Sequence, residues 1–251
     1  MKKLAVVIMA AGKGTRMNNP DKAKVMYEIV GEPLISHVVK LAKNINADKI
    51  ISIVGFKKEE VTEFLYLNFE NILIAVQEPQ LGTGHAVMQT ENYLNDFGGD
   101  VLVLSGDVPL LKIETIEKLF KLHSETNSVA TILTGKLKDP TGYGRIIRNS
   151  ENNVIAIVEH KDANDEIKKI NEINSGIYIF NSLELFKSLK NLKNNNAQKE
   201  YYLPDVFKDF FNLNMKISAM IIEDFNEVNG INTIEQLNET EKYFKRINKI
   251  N

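Results

Sequence analysis

The sequence predicts an α/β fold in which an open, mostly parallel mixed sheet carries helices on both faces. Three observations predict it. The apolar run at residues 4–9 is continuous, the pattern of a strand buried on both faces rather than the alternation of a half-exposed one, and similar short runs recur at 50–54, 72–76 and 101–104. Between them lie stretches of helical period, such as Leu34, Val38, Leu41 and Ile45. The strand-then-helix order repeats four times, which requires right-handed crossovers and places ligands beyond the carboxyl ends of the strands.

The first run, bounded by lysines and by Gly12, is expected as a central strand. After about residue 125 the pattern shortens. Pieces at 128–134, a glycine turn at 141–144, and runs at 154–158 and 173–180 suggest a mixed extension of the sheet. Residues 187–199, rich in asparagine and lysine, read as a polar loop. Thr233 with Gln236 three residues later forms a capping box, and Ile234, Leu237, Phe244 and Ile247 fall near one face of a terminal amphipathic helix.

Composition narrows the function. The chain has 251 residues, with 31 Lys and Arg against 33 Asp and Glu, a net charge of −2 that argues against a nucleic-acid scaffold. Zero cysteines removes disulfides, thiolate metal sites and cysteine nucleophiles together. The start, MKKLAVVIMAAGKG, reads as strand and glycine loop rather than secretion signal, and no apolar run approaches the roughly 18 to 20 residues that span a bilayer. A cytoplasmic protein without membrane contact is expected.

Three loops at strand ends carry candidate chemistry. Residues 9–17 combine small side chains, which let backbone N–H groups approach a phosphate or a base, with cationic Lys13 and Arg16. Met17 stands where a dinucleotide fingerprint needs its third glycine, and no G-x-x-x-x-G-K-[ST] is present, so hydride transfer and P-loop chemistry lose support. A tight turn without ligand remains the other reading of this loop. In residues 77–86, Gln77 has an amide able to read a donor and an acceptor on a pyrimidine edge, and Gly82 and Gly84 allow tight geometry around Thr83. A simple helix start would explain the glycines equally, and His85 is given no chemical role. In residues 105–110, Asp107 suits a hard divalent cation, magnesium first, held by one carboxylate plus phosphates, or else it caps the helix near Ile113. Tyr143, Glu159 and Asn232 have bland alternatives as a packing ring, a strand end and a helix cap.

Taken in order, the strings AAGKGTRM (10–17), QLGTGHA (80–86), GDVPL (106–110), DPTGYGRI (139–146), EHKDA (159–163), NNNAQKEYYLPD (194–205) and EVNGIN (227–232) are jointly far more specific than any one glycine loop. Over residues 3–235 the chain resembles the N-terminal half of the bacterial bifunctional N-acetylglucosamine-1-phosphate uridylyltransferases. The resemblance implies a Rossmann-like, GT-A-like nucleotidyltransferase fold in a single domain over residues 1–251. Its nucleotide-binding half would be 1–125, its sugar-binding half 126–231 and its terminal helix 232–251. It implies that Met9, Ala10, Ala11 and Gly12 line the uridine nucleotide, with Gln77, Gly82 and Thr83 at uracil. Arg16 and Lys24 would hold phosphates and carry the catalysis, Asp107 and Asn232 would ligate Mg²⁺, and Gly144, Glu159 and Asn174 would contact the N-acetylglucosamine moiety.

The implied substrates are UTP and N-acetylglucosamine 1-phosphate, the product is a precursor of cell-wall peptidoglycan, and no obligatory protein partner is expected. The sequence departs from the family pattern at three places. Lys24 follows Ala23 where the family usually has proline, leaving Lys22 as a rival; Ser105 stands where the family often has an aromatic or another small residue; and the hexapeptide repeats of an acetyltransferase half are absent, so no acetyl transfer is expected. Glucose 1-phosphate with UTP or dTTP, and a sugar-nucleotide-binding module without turnover, are the alternatives.

Overall fold

The computed structural model describes residues 3–17 and 19–250. In chain order its elements begin with β1 (Leu4–Ala10), the short hairpin β2 (Glu28–Ile29) and β3 (Glu32–Pro33), α1 (Leu34–Asn44), β4 (Lys49–Val54), α2 (Lys58–Asn68) and β5 (Ile72–Val76). There follow α3 (Thr83–Met88), α4 (Glu91–Leu94), β6 (Asp100–Ser105), α5 (Ile113–Glu125), β7 (Ala130–Lys136), β8 (Arg145–Arg148), β9 (Val154–Val158) and α6 (Asp165–Lys168). The chain continues through β10 (Glu172–Asn181), α7 (Ser182–Leu189), α8 (Asp205–Asn212) and β11 (Ile217–Ile221) to α9 (Ile234–Asn248).

The main sheet runs β11-β7-β10-β6-β1-β4-β5, with β8 joined to β10 and β9 to β8. The β6-β1-β4-β5 half is parallel throughout, as the four apolar runs require. Beyond β6 the strand β10 enters antiparallel to both β6 and β7, so the sheet is mixed on the side that the shorter sequence pieces predict. The continuous apolar run of β1 has a direct cause. Ala5 and Val7 enter the core on one sheet face, and Val6, Ile8 and Ala10 enter the core on the other. The first face is covered by α3, α7 and α8 through Val87, Phe186 and Phe207, the second by α1, α2 and α5 through Val38, Leu65 and Leu119.

The differences from the sequence reading are local. The strand expected at 128–134 begins at Ala130 and extends to Lys136. The polar loop expected at 187–199 is helical as far as Leu189, because Leu185, Phe186 and Leu189 carry the helical period inward. Strands β8 and β11 are additional, short and only partly buried, which is why no run announces them. Thr233 caps α9 by accepting from the Gln236 N–H, and Gln236 Oε1 reaches back to accept at 2.7 Å from the N–H of Asn232, one residue before the cap, so the expected box forms with its return bond displaced by one residue. Of the apolar face expected on that helix, Leu237 and Phe244 join a small cluster with Met17, Ile29 and Leu34, whereas Ile234 and Ile247 are exposed. Among the described residues no helix is long and apolar enough to cross a membrane.

Candidate active site

The carboxyl ends of β1, β5 and β6 open into one cavity of about 500 Å³. Met9, Ala10, Ala11 and Gly12 form one wall and Gln77, Gly82 and Thr83 another. A Cβ on Gly12 would meet nothing within 4 Å, so the fold does not demand glycine there, and its missing side chain leaves room in the cavity wall. Gly14 is different. Its φ is +60°, and a Cβ would lie 2.6 Å from that of Lys24, so glycine lets the 24–26 turn close over the loop.

Gln77 is buried, and its amide donates to the Gly82 carbonyl at 2.9 Å, with His85 Nδ1 at 3.3 Å. The amide nitrogen therefore holds the glycine loop, which leaves its oxygen as the group that can face a base. His85, given no role from sequence, helps orient Gln77, and burial lowers its pKa so that the ring is neutral near pH 7. Gly82 also explains itself. With φ +104° and ψ 174° it occupies a region that is essentially glycine-only, and a Cβ would fall 2.6 Å from the Tyr201 carbonyl oxygen. The 200–203 segment is hydrogen-bonded onto this loop: the Gly84 N–H donates to Tyr201 O at 2.7 Å, and the Leu203 N–H to Thr83 Oγ1 at 3.0 Å.

A second cavity of about 260 Å³ shares Met9, Thr83, Ser105 and Asp107 with the first. Gly144, Glu159 and Asn174, which lie 30 residues apart in sequence at their extremes, converge in its wall. Asn174 sits where the β10–β7 register shifts. The bulge turns its side chain inward, where Nδ2 donates to the Tyr178 hydroxyl at 2.7 Å, and its backbone N–H donates to the Gly144 carbonyl at 2.9 Å. Burial, and after it the carboxylates of Asp205, Asp162 and Glu200, push the Glu159 carboxyl up to about 7. A carboxyl held there is able to donate a hydrogen bond as well as to accept one near neutral pH. A larger cavity of about 770 Å³ lies outside this cleft and shares only Glu159 with it.

Where the two cavities adjoin, charge is concentrated. Lys24 Nζ donates to Asp107 Oδ2 and, at 3.1 Å, to Asn232 Oδ1, which also accepts from Arg16 at 2.8 Å. Lys22, the rival, turns away toward Glu28 at 3.7 Å and lies over the Tyr27 ring. Asp107 does not cap the helix near Ile113. The turn after β6 sets it back, and the α5 cap position is Lys112, with no capping side chain of its own. Asn232 is not the cap of α9 either, since Thr233 takes that place and leaves the Asn232 amide oxygen for Arg16 and Lys24. Ser105 donates to Asp107 Oδ1 and so fixes the carboxylate, a role its small side chain did not announce. Tyr143 does more than pack, because its hydroxyl donates to Asn229 Oδ1 at 3.3 Å beside the same cleft.

The donor set fits a magnesium ion in one respect the structure displays. Asp107 Oδ2 and Asn232 Oδ1 converge on a single cationic atom, the Lys24 ammonium nitrogen. Both are hard oxygens, and among the described residues no group of three or more His, Cys, Asp or Glu side chains could hold a metal. A cation on this pair would take its other ligands from phosphates and water, the usual condition of magnesium in phosphoryl-transfer sites.

An open α/β sheet with a glycine-walled, cationic cleft at the carboxyl ends of its parallel strands is the architecture of a nucleotide-binding enzyme. The comparisons give the family. The family model described as "Nucleotidyl transferase" matches residues 5–228, and the chain belongs to that family. It is 46% identical over 244 residues to the bifunctional protein GlmU of Oceanobacillus iheyensis, a match covering 97% of this chain and 53% of the relative. It is 48% identical over 239 residues to the bifunctional protein GlmU of Acetivibrio thermocellus, covering 95% and 51%. The chain thus spans about half the length of the curated relatives it matches. A UDP-glucose pyrophosphorylase complexed with UDP-glucose shares the fold with a TM-score of 0.78 at 19% identity, over 98% of this chain and 100% of that one. A putative glucose-1-phosphate thymidylyltransferase from Bacillus anthracis, in complex with a sucrose, does so with a TM-score of 0.75 at 20% identity, over 96% and 94%.

Proposed function

We propose that the chain is an N-acetylglucosamine-1-phosphate uridylyltransferase, converting UTP and N-acetyl-α-D-glucosamine 1-phosphate into UDP-N-acetylglucosamine and pyrophosphate. The observation that carries this reading is the junction of the two cavities at Met9, Thr83, Ser105 and Asp107, with Lys24 beside Asp107 and Arg16 beside Asn232. A nucleotide in the larger cavity and a sugar phosphate in the smaller would meet at the cationic cluster.

Met9, Ala10, Ala11 and Gly12 border the nucleotide, Gln77 accepts from the base beside the Gly82–Thr83 loop, and Gly144, Glu159 and Asn174 hold the sugar. Asp107 and Asn232 would hold Mg²⁺, which neutralises charge on the triphosphate. Arg16 and Lys24, drawn from those oxygens toward the phosphates, neutralise the charge that builds on the α-phosphate and the departing pyrophosphate. The sugar phosphate oxygen attacks the α-phosphorus, and the bond from that phosphorus to the bridging oxygen of pyrophosphate breaks in line. A phosphate monoester has a second pKa near about 6, so the attacking oxygen is ionised at neutral pH and no protein base is needed. The protein's contribution is alignment and electrostatics.

The test is pyrophosphate release with UTP and Mg²⁺, comparing N-acetylglucosamine 1-phosphate, glucose 1-phosphate and no sugar, each with a chelator control. Chelator-sensitive release that is strongest with the N-acetyl sugar supports the reading. Stronger release with glucose 1-phosphate would reassign the substrate, and no release from protein that still binds UDP-N-acetylglucosamine would make the chain a binding module.

A further inference from the structure

Two loops carry the paired oxygens, residues 107–112 after β6 and residues 227–232 before α9, and they are braced against each other at both ends. At the cleft end the Ile231 N–H donates to the Asp107 carbonyl at 3.1 Å. At the far end stands Glu227, 6% exposed, which lies five residues before Asn232, while Lys112 lies five residues after Asp107. Glu227 Oε2 accepts from the Lys112 backbone N–H at 3.2 Å and from the Thr115 hydroxyl at 2.6 Å, and Oε1 accepts from Lys112 Nζ at 3.0 Å. Helix α5 has no cap of its own, so this carboxylate, more than a hundred residues away in sequence, serves as its cap and complements its dipole. A carboxylate chosen only to cap α5 could stand at position 112 itself or beside it in sequence. One reaching across from the second loop instead fixes the two loops to each other.

We infer that Glu227 is a positioning residue, holding the Asp107 and Asn232 side chains at the separation that lets one divalent cation bridge them. It does not touch substrate. The inference rests on the reading of Asp107 and Asn232 as the magnesium pair, and it adds that their spacing is set by a carboxylate outside the cleft. Loss of a group that orients a metal ligand costs about 10- to 100-fold in metal affinity.

The experiment uses the purified chain with UDP-N-acetylglucosamine and reads Mn²⁺ binding by water-proton relaxation. Nucleotide-sugar binding is measured in parallel by calorimetry in chelator. Glu227→Ala is expected to weaken Mn²⁺ binding about tenfold or more while chelator-resistant binding of the nucleotide sugar stays within about twofold. Glu227→Gln, which keeps an oxygen for the Lys112 N–H and the Thr115 hydroxyl, is expected to recover most of the loss. If Glu227→Ala does not fold, Thr115→Val carries the test, with Mn²⁺ binding weakened about threefold and a circular dichroism spectrum like that of wild type. Unchanged Mn²⁺ affinity in folded Glu227→Ala, or in Thr115→Val where that variant carries the test, overturns the inference while leaving the proposed reaction intact. A wild-type chain that binds no Mn²⁺ overturns it by removing the magnesium pair itself.

Discussion

Arg16 and Lys24 reach one amide oxygen, that of Asn232, from opposite ends of the first loop, and this convergence makes them the cations of the proposed transfer. Arg16→Ala is expected to lower turnover about 10²- to 10³-fold, the usual loss when one preorganised contact to a transition-state charge is removed. Folded Arg16→Ala with near-wild-type turnover would contradict the assignment. Glu159 gives a pH signature. Its carboxyl, pushed up to about 7 by burial and by neighbouring carboxylates, binds its proton more tightly than a free glutamate does. The folded state therefore holds an extra proton between about pH 4.5 and 7, and stability falls as pH rises through that window. Glu159→Gln removes the penalty, so its melting temperature relative to wild type should rise from pH 5 to pH 8; a constant difference would count against the raised carboxyl. At this scale the site is only partly legible from sequence. Arg16, Asp107 and Asn232 are named by their strings, but Ser105, His85 and Glu227 act through partners that only the fold brings near.

The loop after β5 and the 200–203 segment behave as one element, zipped by Gly84 and Thr83 onto Tyr201 and Leu203. Gly82→Ala places a Cβ against the Tyr201 carbonyl at a φ of +104°, and is expected to cost about 1–3 kcal/mol and to weaken UTP binding by moving Gln77 and Thr83. Thermal melting and nucleotide titration check both, and a variant with unchanged stability and affinity would show that the loop tolerates the clash. The parallel half of the sheet was legible because β1, β4 and β6, buried on both faces, write themselves as nearly continuous apolar runs, and the edge strand β5 keeps the same composition although only partly buried. Strands β8 and β11 were not, since Arg145, Arg148 and Ser218 interrupt any run and their burial depends on neighbours from distant parts of the chain.

The whole molecule links core and cleft through one aromatic stack. Phe207 on α8 packs against Tyr178 at 5.5 Å and Phe180 at 5.4 Å, and the Tyr178 hydroxyl accepts from Asn174 in the wall of the smaller cavity. Phe207→Ala is expected to cost about 3–5 kcal/mol in a denaturant midpoint and to raise the KM for the sugar phosphate more than that for UTP. Equal effects on both substrates would mean that the stack supports the fold without reaching Asn174. The central claim is that nucleotide and sugar phosphate meet directly across adjoining cavities, with no uridylylated protein between them. Exchange of radiolabelled pyrophosphate into UTP tests it most directly. Label is predicted to enter UTP when UDP-N-acetylglucosamine and Mg²⁺ are present, and not when the protein is given only UTP, Mg²⁺ and labelled pyrophosphate. Exchange with UTP alone, or none with the nucleotide sugar, would contradict the account.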